Sequence, residues 1–196
     1  MEGYAYFPAI VYRDEKPEWV AKLNDLAAPY LHEAKKENGH PVPLLLQTNS
    51  MGKDFDLTFF SQYILESVVS LLKEQGYDVD KYSFYLQAMW AQESSKGGDT
   101  NIHVHKNSQM CGWMFLDVPE NGAFPIFYDT RSCKEMVELD FVQGEEISNA
   151  TNTVFFNNMK PGTVLFANSW LRHQLASGNS EEKTRALHFI VSHKEK

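Results

Sequence analysis

The chain has few cysteines: two, Cys111 and Cys133, in 196 residues. Two thiols cannot build the bridged framework of a small secreted domain, and neither has the paired spacing of a structural zinc site. A reducing cytoplasm is therefore the expected compartment. Basic runs are also missing. Eighteen Lys and Arg stand against 26 Asp and Glu, for a formal net charge of −8. General nucleic-acid binding needs a basic face that neutralises phosphates, so that class is set aside. No unbroken apolar run approaches the ~20 residues needed to cross a bilayer, so no membrane partner is expected. The opening "MEGYAYFPAIVYRDEK" lacks the charged-then-apolar order of a signal peptide. There is no internal repeat and no low-complexity stretch.

What is present is a sizeable core. Hydrophobic residues make up 43% of the chain and aromatics 13%, enough for one domain over 1–196. Residues 1–80 read as a largely helical part with one short strand in "AYFPAIVYR". In "KPEWVAKLNDLAAPYLHEAKKENG" a helical apolar stripe of Trp19, Leu23, Leu26, Ala27 and Leu31 ends at Gly39. "DLTFFSQYILESVVSLLKEQG" repeats the pattern with Phe59, Tyr63, Val68, Leu71 and Leu72 and ends at Gly76. After residue 82 the texture becomes short, β-branched and aromatic, punctuated by Gly, Pro, Asn and Asp. Strands are expected near 83–92, 101–105, 111–118, 124–128, 137–142, 153–156, 163–167, 172–176 and 184–192. Helices followed by many antiparallel strands predict an α+β, mainly β fold. The expected form is a sheet sandwich or barrel with the N-terminal helices packed on one sheet.

Seven histidines are present. His32, His40 and His193 read as surface residues, and His188 as a packing or hydrogen-bonding residue on the far side of its strand. His103 and His105, in "NIHVHKNS", are two apart on a predicted strand and so share a face. His173, in "PGTVLFANSWLRHQLASG", opens a later strand and completes a two-plus-one set with open coordination positions, as a catalytic metal needs. Arg185 begins an apolar strand with Leu187, Phe189 and Val191. An arginine there is either salt-bridged to a carboxylate or grips a ligand carboxylate with its guanidinium fork. Trp90 and Trp113 are candidates for the pocket wall, and Asn101 shares the face of His103. Arg131, in "YDTRS", either orients an anionic substrate or pairs with Asp129 or Glu135. Ser132 and Cys133 have no base at a recognisable spacing, so nucleophilic catalysis is unsupported.

The ordered set Trp90, Gly97–Gly98, "HVHKNS", "CGWMFLDVP", "YDTR", "PGTVLFANSWLRH" and Arg185 resembles the Fe(II)/2-oxoglutarate-dependent oxygenases. More narrowly, it resembles the small group of such proteins in marine bacteria and their phages that carry H-x-H. The resemblance covers roughly 82–192. It implies a double-stranded β-helix (jelly-roll, cupin-like) core. It also implies Fe(II) on His103, His105 and His173, with Arg185 on the distal carboxylate of 2-oxoglutarate. The reaction it implies is oxidation of a small-molecule or peptide substrate by O2, with release of succinate and CO2. A homodimer is left open.

One departure bears on the chemistry. Most of these oxygenases have Asp or Glu where this chain has His105. A neutral imidazole adds no charge, so the centre is one unit more positive and holds a bound anion more tightly. A carboxylate from elsewhere, Asp99 or Asp117 for example, would also complete the set. The rival reading is a cupin-like three-histidine dioxygenase that does not use 2-oxoglutarate. Gly97 and the H-x-H match the first half of a cupin motif. Its glutamate is missing, with Gln109 the nearest stand-in, and Pro161–Gly162 precede His173 by a full strand and turn. A non-enzymatic metal- or ligand-binding jelly-roll is the second alternative.

Overall fold

The computed structural model describes residues 8–40, 42–131 and 152–196. The two helical stretches form where the apolar spacing puts them. The first helix, α1 (Val20–Asn38), buries Leu23, Ala27, Leu31 and Ala34 and is capped by Gly39 at φ 70°. That left-handed conformation is cheap only for glycine. In α2 (Thr58–Glu74) the buried stripe is Phe60, Ile64, Val68 and Leu72. It is a strict i, i+4 row, rotated from the expected one, with Phe59 and Tyr63 on its flank. Residues 55–74 are long and apolar enough on average to pass as a membrane span. Their buried stripe, however, belongs to the core of the fold.

Nine strands complete the described chain: β1 (Val11–Glu15), β2 (Leu45–Gln47), β3 (Tyr82–Ser94), β4 (Met110–Asp117), β5 (Phe124–Tyr128), β6 (Thr153–Phe155), β7 (Thr163–Asn168), β8 (His173–Ala176) and β9 (Thr184–Glu195). Six of them pair as one sheet in the order β1-β7-β4-β9-β3-β2, and three as another, β6-β5-β8. The strand expected at 137–142 lies outside the described residues, as do Ser132 and Cys133.

These pairings correct the expected double-stranded β-helix. No strand belongs to both sheets, and among the described residues neither sheet closes or curls into a barrel. The reason lies in the segment read as helical. Its strands β1 and β2 take the two edges of the large sheet, pairing with β7 and β3. Those edges are thus filled by N-terminal strands rather than by strands of the small sheet. The fold is α+β: two sheets with N-terminal helices.

Strand alternation separates two cores. Met89, Ala91, Met110, Met114, Val164, Phe166, Leu187, Phe189 and Val191 meet the buried stripes of α1 and α2 on one face of the large sheet. Each large side chain so buried contributes about 1.5–3 kcal/mol. Trp113, Phe115, Leu165, Ala167 and Ala186 point the other way and meet Phe127 and Leu175 of the small sheet. The candidate site belongs to this second, inter-sheet layer.

Candidate metal centre

His103 and His105 lie on an extended segment that pairs with the start of β8. His103 exchanges both backbone hydrogen bonds with His173, at 2.9 and 3.0 Å, and the His105 N–H donates to the Ser169 carbonyl at 3.0 Å. Alternation then fixes the side chains. Ile102 and Val104 are 44% and 39% exposed, whereas the histidines between and beyond them turn inward. Apolar residues outside and imidazoles inside invert the pattern that stability favours, and such a local violation marks a functional segment.

The three rings converge. One nitrogen from each of His103, His105 and His173 lies within 4.8 Å of the others. Their ring centroids are 4.5 to 5.1 Å apart. The Nε2 atoms of His173 and His105 are 3.2 Å apart. Metal–nitrogen bonds of about 2.0–2.1 Å, meeting at angles from square to tetrahedral, put two ligand nitrogens about 2.8–3.4 Å apart. The His105–His173 spacing is that of two ligands on one ion.

Two of the tautomers are fixed by geometry. His103 Nδ1 is 2.7 Å from the Asn101 carbonyl and His173 Nδ1 is 2.7 Å from the Leu171 carbonyl. A carbonyl only accepts, so each Nδ1 carries the proton and each Nε2 keeps its lone pair for an ion. Asn101 serves here through its backbone.

Electrostatics point the same way. Burial, then the neighbouring His173 and His103, push the pKa of His105 down to about 3. Burial lowers that of His173 to about 4, with the Leu171 carbonyl opposing and His103 adding. Both rings are neutral at pH 7, the state a metal ligand requires. Among the described residues no carboxylate joins the group. Asp99 is exposed, and Asp117 faces the helix layer, where it accepts from Asn24. Buried Cys111 is no candidate thiolate ligand, because burial pushes its thiol up to about 12.

Arg185 is not brought to the histidines. Its guanidinium donates to Glu93 Oε1 from Nε (3.2 Å) and Nη2 (2.7 Å), and its Nη1 lies 2.8 Å from the Asn24 Oδ1 and 3.3 Å from Asp117. It points to the helix face with Leu187 and Phe189, the salt-bridged alternative of the sequence reading. Arg131 makes a two-pronged pair with Asp129, at 3.0 and 2.6 Å, and is exposed. Trp113 packs against the cluster, whereas Trp90 touches only the neighbouring His188. Trp113 is buried with its ring 5.3 Å from that of His173, and Trp90 and Trp113 both touch His188.

His188 is the residue the sequence reading missed. Alternation with Arg185 put it on the far side of its strand, which is correct, but that side is the site. The cross-strand row Trp90, His188, Trp113 spans β3, β9 and β4. The signal was available: a histidine on the strand face opposite an apolar, helix-covered one.

Two facing sheets with a three-histidine cluster between them define a metal-binding oxidoreductase of oxygenase-like fold. Residues 88–189, more than half of the chain, match the family described as "Putative 2OG-Fe(II) oxygenase", and the chain belongs to that family. No protein of curated function matches it. Among solved structures it is similar to AviO1 from Streptomyces viridochromogenes Tue57, with TM-score 0.61 and 11% identity over 94% of this chain and 90% of that one. It is also similar to a prolyl-4-hydroxylase from Pseudomonas putida, with TM-score 0.56 and 9% identity over 93% and 92%. A third is HygX from Streptomyces hygroscopicus, solved with nickel and 2-oxoglutarate bound, with TM-score 0.52 and 13% identity over 94% and 83%. At such identities the likeness is one of fold.

Proposed function

We propose that the protein is a three-histidine, metal-dependent dioxygenase that oxidises a small organic molecule or peptide with O2 and without 2-oxoglutarate. His103, His105 and His173 would hold the ion, for which Fe(II) is the first candidate. The observation that carries the reading is the donor set: three imidazoles with no carboxylate among the described residues, and an Arg185 committed to Glu93 on the opposite face. When bound, Fe(II) supplies a centre where dioxygen and substrate meet and exchange electrons. The neutral ligands leave the ion its full charge, which favours an anionic chelating substrate such as an enolate or thiolate. The Asn101 and Leu171 carbonyls hold two rings in the ligating tautomer. Trp113 and Phe127, packed against His173, exclude water from one side. The low cysteine content supports a cytoplasmic place of work.

A second reading, Fe(II)- and 2-oxoglutarate-dependent hydroxylation with release of succinate and CO2, is favoured by family membership. It requires a carboxylate anchor other than Arg185. Kinship with marine bacterial and phage proteins rests on the ordered motifs alone. Anaerobic reconstitution with Fe(II) separates the two readings. The expected result is iron bound, no visible charge-transfer band on titrating 2-oxoglutarate, no succinate, and O2 uptake with members of a diketone and thiol panel. A band together with stoichiometric succinate would overturn the leading reading.

A further inference from the structure

Beside the three histidines, the inter-sheet face of the large sheet carries a row of buried polar atoms with no partner in the protein. Among the described residues five side-chain nitrogen and oxygen atoms are in that state, and three of them are Trp90 Nε1, Gln92 Nε2 and His188 Nδ1. The three are neighbours by register. Trp90 and Gln92 are two apart on β3 and so share a face, and Trp90 stands opposite His188 on β9. His188 in turn brings its Nε2 to 3.0 Å from Nε2 of His105. The row starts beside the metal cluster and runs along β3 for two residues, roughly 7 Å. Gln92 and His188 are each 2% exposed, so bulk water does not serve them. Buried donors are costly to leave unpaired, and several side by side mark a place where a ligand completes them.

The atoms themselves select the ligand. An indole N–H and an amide NH2 only donate, so their partner presents acceptor oxygens. Ala186, paired with Gln92 across β9, ends at its Cβ and offers the amide no polar group. Arg185, Lys183 and Lys35 are all drawn to Glu93 on the other face. The row is thus one of neutral donors. A carboxylate buried without a cation is heavily penalised, whereas a carbonyl oxygen is satisfied by such donors.

We infer that Trp90 and Gln92 bind a carbonyl oxygen of the substrate, one that lies beyond the atoms given to the metal. The inference rests on the proposed metal-dependent dioxygenase and narrows its substrate class. It favours an enolisable 1,3-dicarbonyl carrying a further ketone, ester or amide oxygen over a simple thiol. A site built to pair a substrate oxygen rejects the analogue that lacks it, because its own donors are then left buried and unpaired.

The test reads binding rather than turnover. Calorimetry on the full-length Zn(II)-loaded protein compares heptane-2,4,6-trione with heptane-2,4-dione, which share a chelating diketone and differ by one distal carbonyl. The wild type is expected to prefer the trione about tenfold more than aqueous Zn(II) does. That excess should be lost in Gln92→Leu and reduced in Trp90→Phe, which keeps a ring against His188. A wild-type preference no greater than that of aqueous Zn(II) would overturn the inference even if neither variant folds. So would an excess unchanged in both variants, or a protein that holds Zn(II) and binds neither probe. In each of these cases the metal site stands. Failure of the wild type to hold any divalent ion would instead remove the metal reading itself, and this inference with it.

Discussion

Arg185 and Glu93 are joined across β9 and β3 by two hydrogen bonds from one guanidinium to one carboxylate oxygen, at 3.2 and 2.7 Å. Glu93 is 2% exposed and also receives Lys35 at 3.1 Å and Lys183 at 3.2 Å on its other oxygen. The group is an ion-pair network beneath α1 with a buried carboxylate and partly exposed cations, and its position bears on which functional expectations survive.

Replacing Arg185 with Ala is therefore a stability experiment. Breaking a buried pair from one side commonly costs about 3–5 kcal/mol. Because Lys35 and Lys183 remain on Glu93, a smaller loss of about 1–3 kcal/mol is expected. Urea unfolding reads the loss, and divalent-metal affinity should stay unchanged. An Arg185→Ala protein of normal stability that had lost binding of a keto acid would return this residue to the site.

Acid sensitivity follows from the buried imidazoles. His105 and His173 take protons only near pH 3 and 4 when folded, whereas an unfolded histidine does so near the ordinary 6.5. Below about 6.5 the unfolded chain thus binds more protons, and stability falls with falling pH. In the metal-free protein the loss is expected between pH 6.5 and 4, reaching about 2–3 kcal/mol per pH unit where both histidines contribute. From pH 7 to about 8 the curve should be flat, and above the ordinary thiol pKa near 9 the raised Cys111 thiol should make it fall again. Glu93, whose carboxyl stays low because of Arg185 and the lysines despite burial, adds a further loss at still lower pH. Unfolding midpoints that do not change from pH 7 to 5 would contradict the placement of these rings.

Much of this was legible in the sequence, for identifiable reasons. The helix ends were marked by Gly39 and Gly76. Expected strands at 83–92 and 184–192 fall within β3 and β9 because alternation and turn residues are local signals. His103, His105 and His173 were found because a strand period of two and a turn before the next strand are also local. What escaped was information carried by pairing between distant segments. Arg185 could be read as clamp or salt bridge until β3 laid Glu93 opposite it. His188 had no neighbour in sequence to betray it, since Trp90 and Trp113 arrive from strands roughly 100 and 75 residues away in the chain, a separation that only sheet assembly closes. Sheet closure failed for the same reason, because β1 and β2 reach the sheet edges only in the folded chain.

Gly112 tests the packing between β4, β7 and β9. A Cβ there would run into the Leu165 carbonyl and come within 2.6 Å of the Phe189 ring. Backbone cannot yield as a side-chain tip can. Gly112→Ala is expected to destabilise by about 2–3 kcal/mol, the upper part of the overpacking range. Thermal and urea unfolding would show it, and a neutral result would mean that the strands are spaced more widely than they are here.

Tryptophan emission offers a direct report on the metal centre. Of four tryptophans, Trp19 packs among Phe59, Phe60 and Tyr63 on the helix side, and Trp170 is 48% exposed. Trp90 and Trp113 have ring centroids 4.4 and 4.7 Å from that of His188, and Trp113 lies 5.3 Å from His173. An open-shell ion at the cluster sits within quenching contact of these two and not of the others. Titration with Ni(II) or Cu(II) should quench emission and saturate at one equivalent. Zn(II), with a filled d shell and no redox chemistry, should compete for the site without quenching. Trp113→Phe should remove much of the effect, and His105→Ala with His173→Ala should abolish it while the emission itself persists. Quenching that survived loss of both histidines would place the ion elsewhere on the protein.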